Sequence, residues 1–274
     1  MHTLRDGTPL PHVGFGTYPL RGEEGVTAIT SALEVGYRYL DTAVNYDNER
    51  EVGEALLRSG LPREEVLVAT KIPGRAHERA SAIASVEQSL ERLGLDRLDL
   101  VLVHWPNPSK GRYVEAVEAL LECRERGLVR WVGTSNYTPA HLREVVAATG
   151  EAPVLNQVEC HPLFAQADLL PVHEELGILT QAWSPLGKRQ AQYDAAPVLA
   201  PAQRLGVSPA QVILRWHLQR GIMPLPKSGT PQRQRDNLDV LGVELTEQEV
   251  AAISALGRED GRLFDGDPET HEEM

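Results

Sequence analysis

The sequence predicts an α/β protein of the (β/α)8 barrel class, the TIM barrel, and three observations carry that prediction. Short apolar runs alternate along the chain with longer stretches of helical period, the pattern of a parallel sheet whose strands are joined by crossover helices. The apolar runs number eight. The length, 274 residues, suits a single barrel, which typically occupies about 250.

The candidate strands are HVGFG (12–16), RYLDT (38–42), VLVATK (66–71), LDLVLVHW (98–105), VRWVGTS (129–135), VLNQVE (154–159), ILTQAW (178–183) and IMPLPK (222–227). Helical candidates follow them: 22–36 with its acidic first turn, 48–60, 77–94, 112–127, 138–150 and 165–177. A longer connection then ends in the helix PAQVILRWHLQRG, and TPQRQRDNLDVLG follows the eighth strand. Several stop at glycine, the residue best suited to the left-handed position just past a helix. Ahead of the first strand, TLRDGTPLP carries an Asp-Gly pair suited to a β-hairpin turn, a plug for the barrel bottom. After the eighth unit, Thr246 and Glu249 have capping-box spacing and open an extra C-terminal helix. No Gly-, Ser- or Pro-rich linker divides the chain, so residues 1–274 are expected to form one domain, with a polar extension after Leu256.

Composition removes several function classes. Lys and Arg number 27 against 39 Asp and Glu, a net charge of −12, which argues against nucleic acid or an anionic membrane as partner. No apolar run approaches the roughly 20 residues of a membrane span, and the first residues lack the apolar stretch of a signal peptide. Two cysteines without CxxC spacing, Cys123 and Cys160, fit a reducing cytoplasm and no disulfide framework. The histidines show no HxH spacing and Cys160-His161 adjacency alone is weak, so no metal is expected.

An open dinucleotide-binding sheet would also have strand and helix repeats. Gly14-Phe15-Gly16-Thr17-Tyr18-Pro19 begins like the phosphate-binding G-x-G-x-x-G, but Pro19 stands at the third glycine and no helical pattern starts directly after Gly16. These glycines read as a tight first turn instead.

In a parallel barrel the chemistry sits where strands end at the C-terminal rim. The second strand ends at Asp41 with Tyr46 in the loop beyond, the third at Lys71, the fourth at His104. Strands five to eight offer Ser135 with Asn136, Asn156 with Gln157, Trp183 with Ser184, and Lys227 with Ser228. Any one of these could cap, pack or be solvated. Together, an acid, a phenol, an ammonium and an imidazole on neighbouring strand ends can converge. A tyrosine titrates near 10 and burial raises it, while an adjacent ammonium pulls it down; Asp41 is the counter-ion that keeps Lys71 charged. The set supplies a proton and polarises a carbonyl, lacks an obvious acyl-transfer nucleophile, and needs a hydride donor that no side chain provides.

LDTAVNYDNE, LERLGLDRLDLVLVHWP, VGTSNYTP, NQVECHP, WSPLG and PLPKSGTPQRQRDN resemble, in order and spacing, the motifs of the aldo-keto reductase superfamily, from about Gly14 to Leu256, with the bacterial 2,5-diketo-gluconate reductases the nearest subgroup. That resemblance implies NADPH-dependent reduction of aldehydes and ketones by a monomer. It makes Tyr46 the general acid, tuned by Lys71 and Asp41, with His104 orienting the carbonyl. Ser135, Asn136 and Gln157 would bind the nicotinamide carboxamide, and Trp183 would stack on the ring where relatives more often have Tyr or Phe. The cofactor set extends to Gly16, Thr17, Ser184 and Leu186. Lys227, Ser228, Thr230 and Arg233 match a 2′-phosphate site that favours NADPH, with Asp236 and Asn237 near the adenine. Lys188 and Arg189 lie in a region that folds over the pyrophosphate in relatives, and stay outside the site.

Tyr18, Asn45 and Trp105 match substrate-facing positions. Pro73 stands where many relatives carry a tryptophan, the connection after His104 is short, and the tail after Leu256 is short and acidic; these features predict an open pocket for small aldehydes or dicarbonyls. Two other classes compete. A Schiff-base enzyme would use Lys71 or Lys227, and a regulatory module would bind NADPH without turnover.

Overall fold

Barrel geometry follows from the pairing of eight parallel strands in chain order: β3 (Phe15–Gly16), β4 (Tyr39–Asp41), β5 (Leu67–Ile72), β6 (Leu98–Val103), β7 (Val129–Ser135), β8 (Leu155–Glu159), β9 (Leu179–Trp183) and β10 (Met223–Pro224). The structure is a computed structural model that describes residues 1–264 and 266–273. The first and last strands meet through Gly14 N–H to Pro224 O at 3.1 Å and Gly16 N–H to Pro226 O at 3.2 Å. A Cβ on Gly14 would lie 2.5 Å from Leu225 Cδ2, and one on Gly16 would lie 3.0 Å from the Leu225 carbonyl oxygen. The two glycines therefore let the barrel close, a different duty from the turn that their spacing suggested.

Register decides which side chains share the interior. Asp41 pairs with Ala69 and Lys71 lies two residues further along the same strand; Lys71 pairs with Leu102 and His104 lies two residues beyond that. Because side chains alternate with period two, Asp41, Lys71 and His104 all point inward, each on successive strands at the C-terminal rim. Ser135 opposite Gln157, and Gln157 opposite Gln181, continue the same inward row. Below them Tyr39, Ala69, Leu100, Leu102, Leu155, Met223 and Leu225 fill the interior, joined by Leu4 and Leu10. The last two come from the hairpin of β1 (His2–Thr3) and β2 (Pro9–Leu10), which seals the bottom as expected, with Gly7 at φ 83° in its turn.

Ten α-helices are described: α1 (Gly22–Val35), α2 (Glu49–Ser59), α3 (Arg79–Leu93), α4 (Tyr113–Glu125), α5 (Pro139–Thr149), α6 (Leu170–Leu176), α7 (Ala196–Leu205), α8 (Pro209–Gln219), α9 (Pro231–Leu238) and α10 (Glu247–Ser254). Thr246 caps α10, accepting from Glu249 N–H while the Glu249 carboxylate accepts from Thr246 N–H, as the spacing predicts. The long connection before α8 contains a further helix, α7, with Pro197 in its first turn and Pro201 inside it. Both cysteines are buried thiols. No helix among the described residues is long and apolar enough to cross a membrane.

The tail departs furthest from expectation. Arg258 N–H donates to Leu163 O at 3.1 Å and Leu263 N–H to the buried Glu159 carboxylate at 2.7 Å. Held there, residues 258–264 and 266–273 run across the barrel mouth instead of leaving it open. Asp265 and Met274 lie outside the described residues.

Candidate active site at the barrel mouth

Local structure places the phenol. After β4 the chain makes a short 3-10 turn (Val44–Tyr46) that ends at Asp47 with φ 53°. Asn48 holds this loop from inside: its Oδ1 accepts from Thr42 Oγ1 at 2.6 Å, and its Nδ2 donates to the carbonyls of Thr17 and Leu20 at 3.1 and 2.9 Å. The sequence reading missed Asn48, although its place between a strand end and an acidic first helical turn is where a buried loop clamp belongs. Thr17, expected at the cofactor, is fully buried and its hydroxyl donates to the Asp41 carbonyl at 2.9 Å.

The quartet of strand-end residues comes together. Lys71 Nζ lies 2.9 and 2.8 Å from the two Asp41 carboxylate oxygens, 2.9 Å from the Thr42 carbonyl and 3.2 Å from Tyr46 Oη. Its side chain is 0% exposed, and that of Asp41 5%. The His104 ring stands edge-on to Tyr46, centroids 5.7 Å apart. Burial alone would depress the Lys71 ammonium, but the Asp41 charge and contacts with Asp41 and Tyr46 outweigh it and hold Lys71 above the ordinary lysine range. For Tyr46 burial is the larger effect: the hydroxyl titrates above 10 although Lys71 pulls the other way. The expectation of a lowered phenol thus fails for the resting site, because desolvation of the phenolate exceeds the help from one cation that Asp41 already neutralises.

A second chain of contacts joins the neighbouring strand ends. Gln157 Nε2 donates to Asp41 Oδ1 at 2.7 Å, Ser135 Oγ to Gln157 O at 2.8 Å, Asn136 Nδ2 to His104 O at 3.0 Å, and Trp183 Nε1 to Asn136 Oδ1 at 2.8 Å. Asn136 and Ser184 sit at positive φ, 61° and 49°. Gln157 Oε1 is buried with no hydrogen-bond partner, an acceptor that a primary amide would satisfy. Leu186 packs against the outer core.

Across the rim, Lys227, Ser228, Thr230, Arg233, Asp236 and Asn237 gather where β10 leads into α9. Ser228 Oγ accepts from Thr230 N–H at 3.1 Å. Thr230 precedes α9 without capping it by its side chain, which leaves main-chain donors at a helix N-terminus beside Lys227 and Arg233. Both cations are exposed and neither has an ion pair among the described residues. Such a place suits a phosphate. Asn237 is buried.

On the substrate side, the Tyr18 ring lies 5.1 Å from Tyr46 and is half exposed, while Trp105 is buried. The tail supplies what the sequence reading left out. Phe264 stacks near Trp183 at 5.9 Å and meets Trp105 at 6.1 Å, and His271 lies 4.3 Å from Trp105. Glu273 enters the centre itself, with Oε1 2.8 Å from His104 Nδ1 and 2.9 Å from Asn45 Nδ2. An acidic, polar tail carries no local signal for such a contact. Among the described residues no group of three or more His, Cys, Asp or Glu is arranged to hold a metal ion.

Comparison with known proteins agrees with this geometry. A profile of the Aldo/keto reductase family matches residues 12–258. A protein of Corynebacterium sp. (strain SHS752001) named 2,5-diketo-D-gluconic acid reductase B is 53% identical over 272 residues, covering 99% of this chain and 98% of its own. An aldo-keto reductase of Mycolicibacterium smegmatis is 42% identical, covering 98% and 96%. Among solved structures, Gox0644 in its apo form superposes with a TM-score of 0.93 at 37% identity, covering 98% of this chain and 97% of that one. A Bombyx mori aldo-keto reductase in complex with NADP does so at 0.89 and 33%, covering 96% and 94%.

Proposed function

The chain belongs to the aldo/keto reductase family, and from that premise we propose that it reduces aldehydes and ketones to alcohols with NADPH, Tyr46 giving the proton. The observation that carries this reading is the contact of Lys71 Nζ with Tyr46 Oη at 3.2 Å and with both Asp41 oxygens, inside the barrel mouth. A reduced nicotinamide, when bound, supplies the hydride to the carbonyl carbon. Tyr46 Oη then passes its proton to the carbonyl oxygen, and the phenolate left behind faces the Lys71 ammonium. Asp41 keeps that ammonium charged in a dry site. His104 orients the carbonyl oxygen toward Tyr46.

Gln157, with its unpartnered acceptor, Ser135 and Asn136 would hold the carboxamide, and Trp183 would offer the ring a flat surface. Lys227, Ser228, Thr230 and Arg233 would take the 2′-phosphate, with Asp236 and Asn237 at the adenine. Structures of a mutant of Gox0644 with NADPH and of a Bombyx mori aldo-keto reductase with NADP support this choice of cofactor. Tyr18, Asn45 and Trp105 would line a site for small aldehydes and dicarbonyls, a class that includes the diketo acid named in the Corynebacterium relative. The completeness of the quartet within one chain and the two free buried thiols support a cytoplasmic monomer.

The test is Tyr46→Phe, assayed by NADPH absorbance against a panel of aldehydes and ketones. Turnover should fall at least a hundredfold, the scale of lost acid catalysis, while NADPH affinity measured by tryptophan fluorescence stays within about twofold. Undiminished turnover would show that the proton comes from elsewhere.

A further inference from the structure

Residues 272 and 273 occupy a seat made for them. Beyond its contacts with His104 and Asn45, the Glu273 carboxylate accepts from Gly74 N–H at 3.3 Å through Oε2. Asn107 grips the main chain on both sides, its Nδ2 donating to Glu273 O at 2.5 Å and its Oδ1 accepting from Glu273 N–H at 3.3 Å. Glu272 accepts from Ser109 N–H at 2.8 Å. Arg75 Nη1 donates to Asn45 Oδ1 at 2.6 Å, which turns the Asn45 amide so that its N–H points at Glu273. A Cβ on Gly74 would lie 2.2 Å from Glu273 O, so only glycine leaves room for the seated tail.

The side of His104 that Glu273 touches is informative. Nδ1 is buried 2.8 Å from the Glu273 carboxylate, an ion-pair approach that falls short of hydrogen-bond alignment and leaves Nδ1 without another partner among the described residues, and the 11% exposure that the side chain retains belongs to other ring atoms. The Glu273 side chain is itself only 14% exposed. Its burial would raise the carboxyl, but hydrogen bonding and charge from His104, with Asn45 and Gly74 assisting, hold it below the ordinary carboxylate range. It therefore sits there ionised.

We propose that Glu273 is a positioning residue for the reduction, a carboxylate carried by the C-terminal arm that holds His104 by Nδ1 and leaves Nε2 to meet the carbonyl. This rests on the reading of His104 as the group that orients the substrate. The chemistry is consistent: an ionised carboxylate only accepts, so a proton held between the two groups belongs to Nδ1. Through that contact the arm fixes the ring plane. Its closure through Phe264 and His271 over Trp105 then couples the seating of the tail to the shaping of the pocket.

Glu273→Ala, Glu273→Gln and a chain ended after His271 test this, alongside wild type and Tyr46→Phe. Two measurements are made: kcat and KM with a small aldehyde, and the 15N shifts of the His104 ring in the NADP-bound protein, assigned by their loss in His104→Asn. In wild type Nδ1 should read as protonated. In Glu273→Ala and the shortened chain the signal should move toward the tautomer protonated at Nε2. There kcat should fall about a hundredfold, the cost of misplacing a reacting group by about 1 Å, while NADPH affinity is unchanged. Glu273→Gln should recover part of kcat. An unchanged His104 signal overturns the proposal, and so does a kcat/KM that stays level or rises, because the arm would then be a bystander or a competitor of substrate. The nitrogen signal is read without turnover. A failure of the reading of the site, seen as an active Tyr46→Phe, is thus distinguishable from a failure of the Glu273 assignment.

Discussion

Replacing Asp41 with asparagine keeps the shape of the site and, among the described residues, removes the only carboxylate in contact with the buried Lys71. The ammonium retains the Thr42 carbonyl and Tyr46 Oη but, among the described residues, no contact of opposite charge. Removing one partner of a buried ion pair costs about 3–5 kcal/mol, and with the Lys71 side chain at 0% exposure water cannot replace the carboxylate. At a urea m-value of about 3 kcal/mol/M that is a midpoint lower by about 1–1.7 M at pH 7. The pH dependence identifies the cause. In the wild type Lys71 is held above its ordinary range, so its contribution is complete below the unfolded value of about 10.4 and disappears only as pH rises through the higher folded value. In the variant, burial is no longer outweighed by that carboxylate and the folded value drops below about 10.4, so the variant regains stability as pH climbs toward it. The deficit, followed by tryptophan fluorescence in urea, should therefore be largest near neutrality and shrink toward pH 10. A deficit under about 1 kcal/mol, or one of equal size at pH 7 and pH 10, would refute the assignment of Asp41 as the counter-ion that makes a charged Lys71 tolerable.

Arg233→Ala should weaken NADPH binding about 10- to 100-fold, the loss of one charge-assisted contact to a phosphate, and leave NADH nearly untouched; equal losses in fluorescence titrations with the two cofactors would discredit the basic cluster as a 2′-phosphate site. Gly53→Ala should lower stability by about 1–3 kcal/mol although alanine is the better helix former by about 1 kcal/mol, because its Cβ would lie 2.4 Å from the Leu93 carbonyl oxygen where α2 crosses the end of α3. A raised melting temperature in that variant would show that the two helices can part at little cost.

The rim was readable because three simple rules act there together. Polar residues end apolar strands, the period of two gives Asp41, Lys71 and His104 one inward face, and each crossover returns the chain to the same end of the barrel. What the sequence hid has physical reasons as well. The Gly14–Gly16 pair looks like a turn, yet its lack of side chains serves a contact with Leu225 more than two hundred residues away. In α7 two prolines defeat a local reading, and packing against α8 and α10 keeps the helix. Glu273 was invisible for the same cause at greater range: an acidic tail reads as solvated, and nothing near it in sequence announces Asn45, Gly74, His104 and Asn107 as its partners.

The upward displacement of the Tyr46 hydroxyl looks at first like an obstacle to the proposed use of Tyr46 as an acid, but the geometry is compatible with that use. An acid for reduction must keep its proton until negative charge appears on the substrate oxygen, and a phenol held above 10 is fully protonated across the neutral range. What matters is the difference between the states before and after transfer. Before transfer the Lys71 ammonium faces a neutral hydroxyl and gains little from it; after transfer it faces a phenolate at the same 3.2 Å, in a site where neither group has to move or shed water. The attraction is therefore collected as the proton leaves, which is where fixed charge lowers a barrier. Asp41 sets the balance: it neutralises part of the lysine's field and raises the phenol, and it is also what lets the lysine be charged there at all. A neutral methionine in place of Lys71 should consequently damage turnover even at a pH where Tyr46 is fully protonated in both proteins, because the loss lies in the stability of the phenolate and not in the supply of the proton.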